Sequence, residues 1–180
     1  MAYTIDPDVE EERLESAFLE FGGLRERLGE RVHECAPSVS AWSPAQHLFH
    51  VALSADLAFS NVRALLRGGG GRIVQEGAPN ALAVQVLTDE SYPRGESAAP
   101  RTVTPPDEVE GAYLTNEMQL NRETLMALSP DLTQVPGAEG RIPHVFLGEL
   151  NASEWLRFAR LHSEHHLAIL RDIEAALAGN

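Results

Sequence analysis

The sequence predicts an all-α protein, a four-helix bundle with a long crossover connection between helices 2 and 3. Three observations carry that prediction. Four long stretches place apolar residues every three to four positions, the period of a helix that buries one face. Residues that start and stop helices stand at the ends of those stretches. The alternating pattern of a half-buried strand is not convincing anywhere. With 180 residues, 43% of them hydrophobic, the chain suits a single helical domain over 1–180 with its own core.

The first stretch runs from about Asp8 to Cys35, with Leu14, Phe18, Phe21, Leu24, Leu28 and Val32 on one face. Glu10, Glu11 and Glu12 lie in its opening turn, where carboxylates complement the positive end of the helix. Gly22 and Gly23 lower the helix propensity locally, so a bend is expected there. The second helix opens at Ser43-Pro44, a capping residue followed by a proline in the first turn. It carries Leu48, Val51, Ala55, Ala58, Val62 and Leu65, and four glycines, Gly68 to Gly71, end it. Residues 68 to about 104 then form a long connection. Within it, Ala81 to Leu87 fits a short helix or a strand equally well.

The third helix is expected to open at Thr104-Pro105, with Thr104 as cap, and to stop before Pro130. A loop rich in proline and glycine follows. Asn151, with Glu154 three residues later, makes a capping box for the fourth helix, which continues to about Ala178.

A formal net charge of −13 repels phosphate backbones and anionic lipid, so neither nucleic acid nor membrane is an expected partner. No apolar run approaches the roughly 20 residues of a membrane-spanning helix. The N-terminus has no basic, apolar leader pattern, and a cytoplasmic protein is expected. Cys35 is the single cysteine, which excludes an internal disulfide and a thiolate zinc site. Beside Pro37, with no activating base nearby, it reads as a small packing residue.

Chemistry concentrates in Leu161-His162-Ser163-Glu164-His165-His166-Leu167. On a helix His162 and His166 project from one face about 6 Å apart along the axis, close enough to share one ion. Trp155, Ala159, Ile169 and Ile173 share their stripe, so both imidazoles should point inward, where they need a partner. His165 is expected to face solvent. His50 on the second helix can supply a third imidazole, with His47 one turn earlier as a substitute or an outer partner. His144 in the loop before the last helix is a further candidate, and His33 is expected at the surface. Three imidazoles would leave a position open, as catalytic metal sites do. His47 or His144 would serve as general base, and Arg94, Arg101 and Arg141 are loop cations able to hold an anionic substrate.

Trp42-Ser43-Pro44-Ala45-Gln46-His47-Leu48-Phe49-His50 resembles the second-helix motif of the DinB/YfiT-like superfamily. Pro143 to Leu156 resembles its lead into the last helix, and His162-Ser163-Glu164-His165-His166-Leu167 its closing motif. The first and third helices match only as helices. The resemblance implies a divalent metal ion held by His50, His162 and His166, and imidazole ligands suit zinc, nickel or iron alike. The superfamily is similar in fold to mycothiol-dependent maleylpyruvate isomerase and bacillithiol S-transferases. It therefore implies transferase or isomerase chemistry on a small-molecule substrate, with a low-molecular-weight thiol as cofactor. Hydrolysis by bound water is the other chemistry that such an ion supports. Two non-enzymatic readings compete: a bundle that metal merely stabilises, and a metal-free bundle that binds an apolar ligand. Exposed apolar helix faces would pair such bundles as homodimers.

Overall fold

The computed structural model describes residues 3–94 and 98–179. Five helices dominate it: α1 (Pro7–Leu28), α2 (Pro44–Arg67), α3 (Ala81–Asp89), α4 (Gly111–Leu128) and α5 (Ala152–Ala178). Two short 3-10 helices, Gly29–His33 and Ser129–Gly137, follow α1 and α4. A small antiparallel hairpin, β1 (Ile142–His144) with β2 (Gly148–Leu150), precedes α5.

α1 starts where Asp6 accepts from the Asp8 amide, and it runs through Gly22 and Gly23 without a break. Leu14, Phe18, Phe21 and Leu24 bury one face and hold the helix across the pair. The helix ends sooner than its pattern suggests. Gly29 takes φ 53°, which a residue with a Cβ adopts only at a cost, and the chain continues as a 3-10 turn. Cys35, just beyond, is exposed and not packed, with its thiol 3.6 Å from the Ala41 carbonyl. α2 opens as expected, with a capping box between Ser43 and Gln46, and closes on Gly68 at φ 63°.

The long connection between α2 and α4 is fastened at several points. Val74 and Arg141 exchange backbone hydrogen bonds, and the Asn80 amide donates to the Leu147 carbonyl. Asn80 also caps α3, which settles 81–89 as helix. α4 begins at Gly111, seven residues after Thr104. The Thr104 hydroxyl donates to the carbonyls of Ala99 and Pro100 instead of capping a helix. Consecutive prolines at 105 and 106 keep the preceding backbone extended. The Gln46 side chain donates to the Pro106 carbonyl and ties the segment to the start of α2.

The hairpin is the element absent from the sequence prediction. Strands of three residues are too short to display alternation, and their pairing, Ile142 with Leu150 and His144 with Gly148, is a contact between separate segments. Gly148 is required there. Its φ is 78°, and a Cβ would lie 2.7 Å from the Ala78 carbonyl oxygen.

α5 lies against α1 and α2, and α4 packs mainly on α2. Leu14, Leu48, Phe59, Leu65, Leu114 and Trp155 are fully buried among these four long helices. Charge is buried with them. Glu10, in the opening turn of α1, is fully enclosed and accepts from Arg157 Nε at 2.8 Å and from Arg160 Nε. Arg160 also donates to Glu164 at 2.8 Å and to Glu90 at 2.9 Å, and Arg13 donates to both of those carboxylates. Three arginines and three glutamates thus lock α5 to α1 and to the end of α3. Among the described residues, no helix is long and apolar enough to cross a membrane.

Candidate metal centre

α2 contributes His47 and His50, one turn apart, and α5 contributes His162 and His166 on successive turns of its inner face. His50, His162 and His166 each offer a ring nitrogen, and the three atoms lie within 4.8 Å of one another. His50 and His166 are buried, and His162 is half-buried. Nε2 of His50 stands 3.1 Å from Nε2 of His162. Two nitrogens on one tetrahedral zinc, with bonds of about 2.0–2.1 Å, would be about 3.3 Å apart. The spacing therefore fits a shared ion.

The surroundings hold each ring in place. The His50 Nδ1–H donates to the Val103 carbonyl at 2.7 Å. A carbonyl can only accept, so neutral His50 directs a lone pair from Nε2 into the cluster. His162 stacks on Phe158 with ring centroids 5.3 Å apart, and Tyr92 closes on it edge-to-face. Trp42 packs against both His47 and His50. Burial raises the Tyr92 phenol above its ordinary range.

Burial also keeps these imidazoles neutral. It pushes His162 and His166 well below the ordinary imidazole value, and the neighbouring imidazoles add to the effect. His50 is lowered by burial too, with its bond to Val103 acting in the opposite direction. Neutral rings present the lone pairs that a metal ion requires.

Of the other candidates, His47 touches the cluster without belonging to it. Its Nδ1 lies 2.9 Å from Nδ1 of His166 and its Nε2 lies 2.9 Å from Ser40 Oγ. Burial, followed by repulsion from His50 and His165, lowers it to about 4. His144 sits against Phe158 and Trp155, and its Nδ1 accepts from the Phe146 amide at 3.1 Å. Burial lowers it to about 4. A neutral His144 in that arrangement carries its proton on Nε2, so it presents a donor and not the lone pair of a general base.

His165 is half-buried beside Tyr92 and outside the three-nitrogen group, and His33 is exposed. The loop arginines are spent or peripheral. Arg94 pairs with Asp172, Arg141 with Glu154 and the Glu149 carbonyl, and Arg101 lies exposed. Val103, Ser40, Tyr92 and Phe158 were not singled out from the sequence. Val103 acts through its backbone and Tyr92 stands in an irregular link, so neither carries a readable signal. Phe158 could have been found, because it lies one turn before His162.

Searches of curated proteins and of solved structures returned no significant match. A family model for the DinB superfamily matches residues 13–170, which takes in all but the opening turns of α1, the whole centre and all but the last turns of α5. The chain belongs to the DinB superfamily.

Proposed function

We propose that the protein is a divalent-metal-dependent enzyme acting on a small molecule, with His50, His162 and His166 as the ligands of its ion. The single observation that carries this reading is the convergence of three neutral imidazoles in a group free of carboxylate and thiolate. Such an ion keeps its full charge, and when bound it acidifies a thiol or water and polarises a carbonyl.

The chain's own residues then divide the remaining work. Val103 orients His50, and Phe158 and Tyr92 hold His162. His144 acts through its Nε2–H, which donates to an oxygen of the substrate as negative charge develops there. That role suits acyl or group transfer from a thiol and hydrolysis alike, so thiol-linked transfer or isomerisation and hydrolysis are the two chemistries proposed. Zinc, nickel and iron all accept this donor set. The four long helices are read as the superfamily's four-helix bundle. The exposed Leu120 and Met126 of α4 support its pairing as a homodimer.

A purely structural role for the ion is disfavoured by the apolar core and the buried ion network, which hold α5 independently of the histidines. Metal analysis of untagged protein, with His50→Ala beside it, is the test. About one equivalent of ion in the parent and its loss from a folded variant support the enzyme, and turnover in a thiol-transfer or hydrolase panel identifies the chemistry. Unfolding on removal of the metal would instead make the ion structural. An ion-free parent that takes up none on addition would reject the reading.

A further inference from the structure

We propose that Ser40 and His47 form a reversible hydrogen-bond relay behind His166, and that loading the site with a metal ion reverses the direction in which that relay runs. The inference rests on the three-histidine reading of the site. It concerns which nitrogen of His166 carries a proton and not whether the ring is charged.

His47 Nδ1 and His166 Nδ1 are 2.9 Å apart, so one of them carries a hydrogen and the other a lone pair. At the far side of the ring, His47 Nε2 is 2.9 Å from Ser40 Oγ, which also accepts from the Trp42 amide at 3.1 Å. A neutral imidazole holds a single N–H, so the chain has two complete arrangements. In the first, Ser40 donates to His47 Nε2, and the His47 Nδ1–H donates to His166 Nδ1. His166 then keeps its proton on Nε2 and has no lone pair left for an ion. In the second, the His166 Nδ1–H donates to His47 Nδ1, and the His47 Nε2–H donates to Ser40 Oγ. This frees Nε2 of His166 as a ligand.

Passing from one arrangement to the other changes the tautomer of two rings and rotates one hydroxyl. No proton is gained or lost overall. The Ser40 hydroxyl makes both arrangements possible, because it can donate or accept, and its half-buried position lets the O–H turn to solvent. His50 is the contrast. The Val103 carbonyl only accepts, so that ring is set in the binding tautomer before any ion arrives. One ligand is preset and another is switched.

In the ion-free protein the first arrangement leaves His166 Nε2 with a hydrogen and not a further unshared lone pair in a cluster that already holds the lone pair of His50 Nε2, to which the His162 Nε2–H donates across 3.1 Å. Full-length, untagged protein with 15N-labelled histidine supplies the test, read by long-range proton–nitrogen spectra at pH 7 before and after one equivalent of Zn(II). On loading, His47 is expected to move its proton from Nδ1 to Nε2, and His166 from Nε2 to Nδ1. An unchanged His47 tautomer would overturn the relay. So would coupling of 113Cd to a His47 nitrogen, which would make that ring a fourth ligand.

Chelator competition for Zn(II) gives a second readout. His47→Phe should weaken binding roughly 10- to 100-fold, and His47→Gln, which retains an acceptor, should recover part of it. Equal affinity in His47→Phe and the parent would count against the relay. If His50→Ala binds Zn(II) as tightly as the parent, the three-histidine reading has failed. If His50→Ala loses Zn(II) while the His47 tautomer never changes, only the relay has failed.

Discussion

At the scale of single residues, neutrality is what the centre's surroundings impose on its histidines. His50, His47, His144, His162 and His166 all sit below the ordinary imidazole value, chiefly because burial disfavours the charged ring. The consequence for stability has a definite sign. The unfolded chain binds protons near pH 6.5 that the folded chain refuses until about pH 4 at His47 and His144. Stability therefore falls as pH drops through that window, by at most about 1.4 kcal/mol per pH unit for each group. Urea midpoints of metal-free protein measured between pH 7 and pH 4 check this, and a flat profile would contradict it. Substituting His162→Ala should abolish one-equivalent zinc uptake and leave the helical circular-dichroism signal intact. Spacing pointed to His162 and His166, four apart on α5, and to His50 or His47 on α2 as a third imidazole, and the family resemblance is what selected His50. Their supports were not legible, since a Val103 carbonyl has no side-chain signature.

Among the elements, α5 carries most of the design. One face holds the histidines, while Arg157 and Arg160 at its margin enter the ion network with Glu10. Glu10→Gln would leave two buried guanidinium groups short of a counter-charge, and a loss of roughly 3–5 kcal/mol in chemical unfolding is expected. Arg94→Ala removes only an exposed pair with Asp172 and should leave the unfolding curve almost unmoved. The hairpin makes an equally direct prediction. Gly148→Ala imposes strain at φ 78° and a clash with the Ala78 carbonyl, so a loss of about 1–3 kcal/mol is expected in the same assay. Helices α2 and α5 were readable to the residue at their starts, because capping boxes are local. The start of α4 was not, because the prolines and the bond from Gln46 outweigh a capping threonine.

For the molecule as a whole, an ion that binds only the folded state links the centre to global stability. Zinc at 100 times its dissociation constant should add about 2.7 kcal/mol, seen as a higher melting temperature. The shift should disappear in His162→Ala. A shift that persists there would place the ion elsewhere. The core itself should survive without metal, because its buried leucines and aromatics lie along all four long helices and not around the histidines alone.

What the sequence determined by itself is the set of long helices, their apolar faces, the candidate ligands and the family. Each of these is written in spacing along one helix or in a motif a few residues long. Tertiary structure alone decided the hairpin, the burial of Glu10, the donor character of His144 and the contact of His47 with His166. The enclosure of Glu10 and the contact of His47 with His166 join residues distant in the chain, while the hairpin and the bond to His144 act through backbone atoms that every residue type shares. Periodicity reports which face of a helix is buried. It does not report what that face meets.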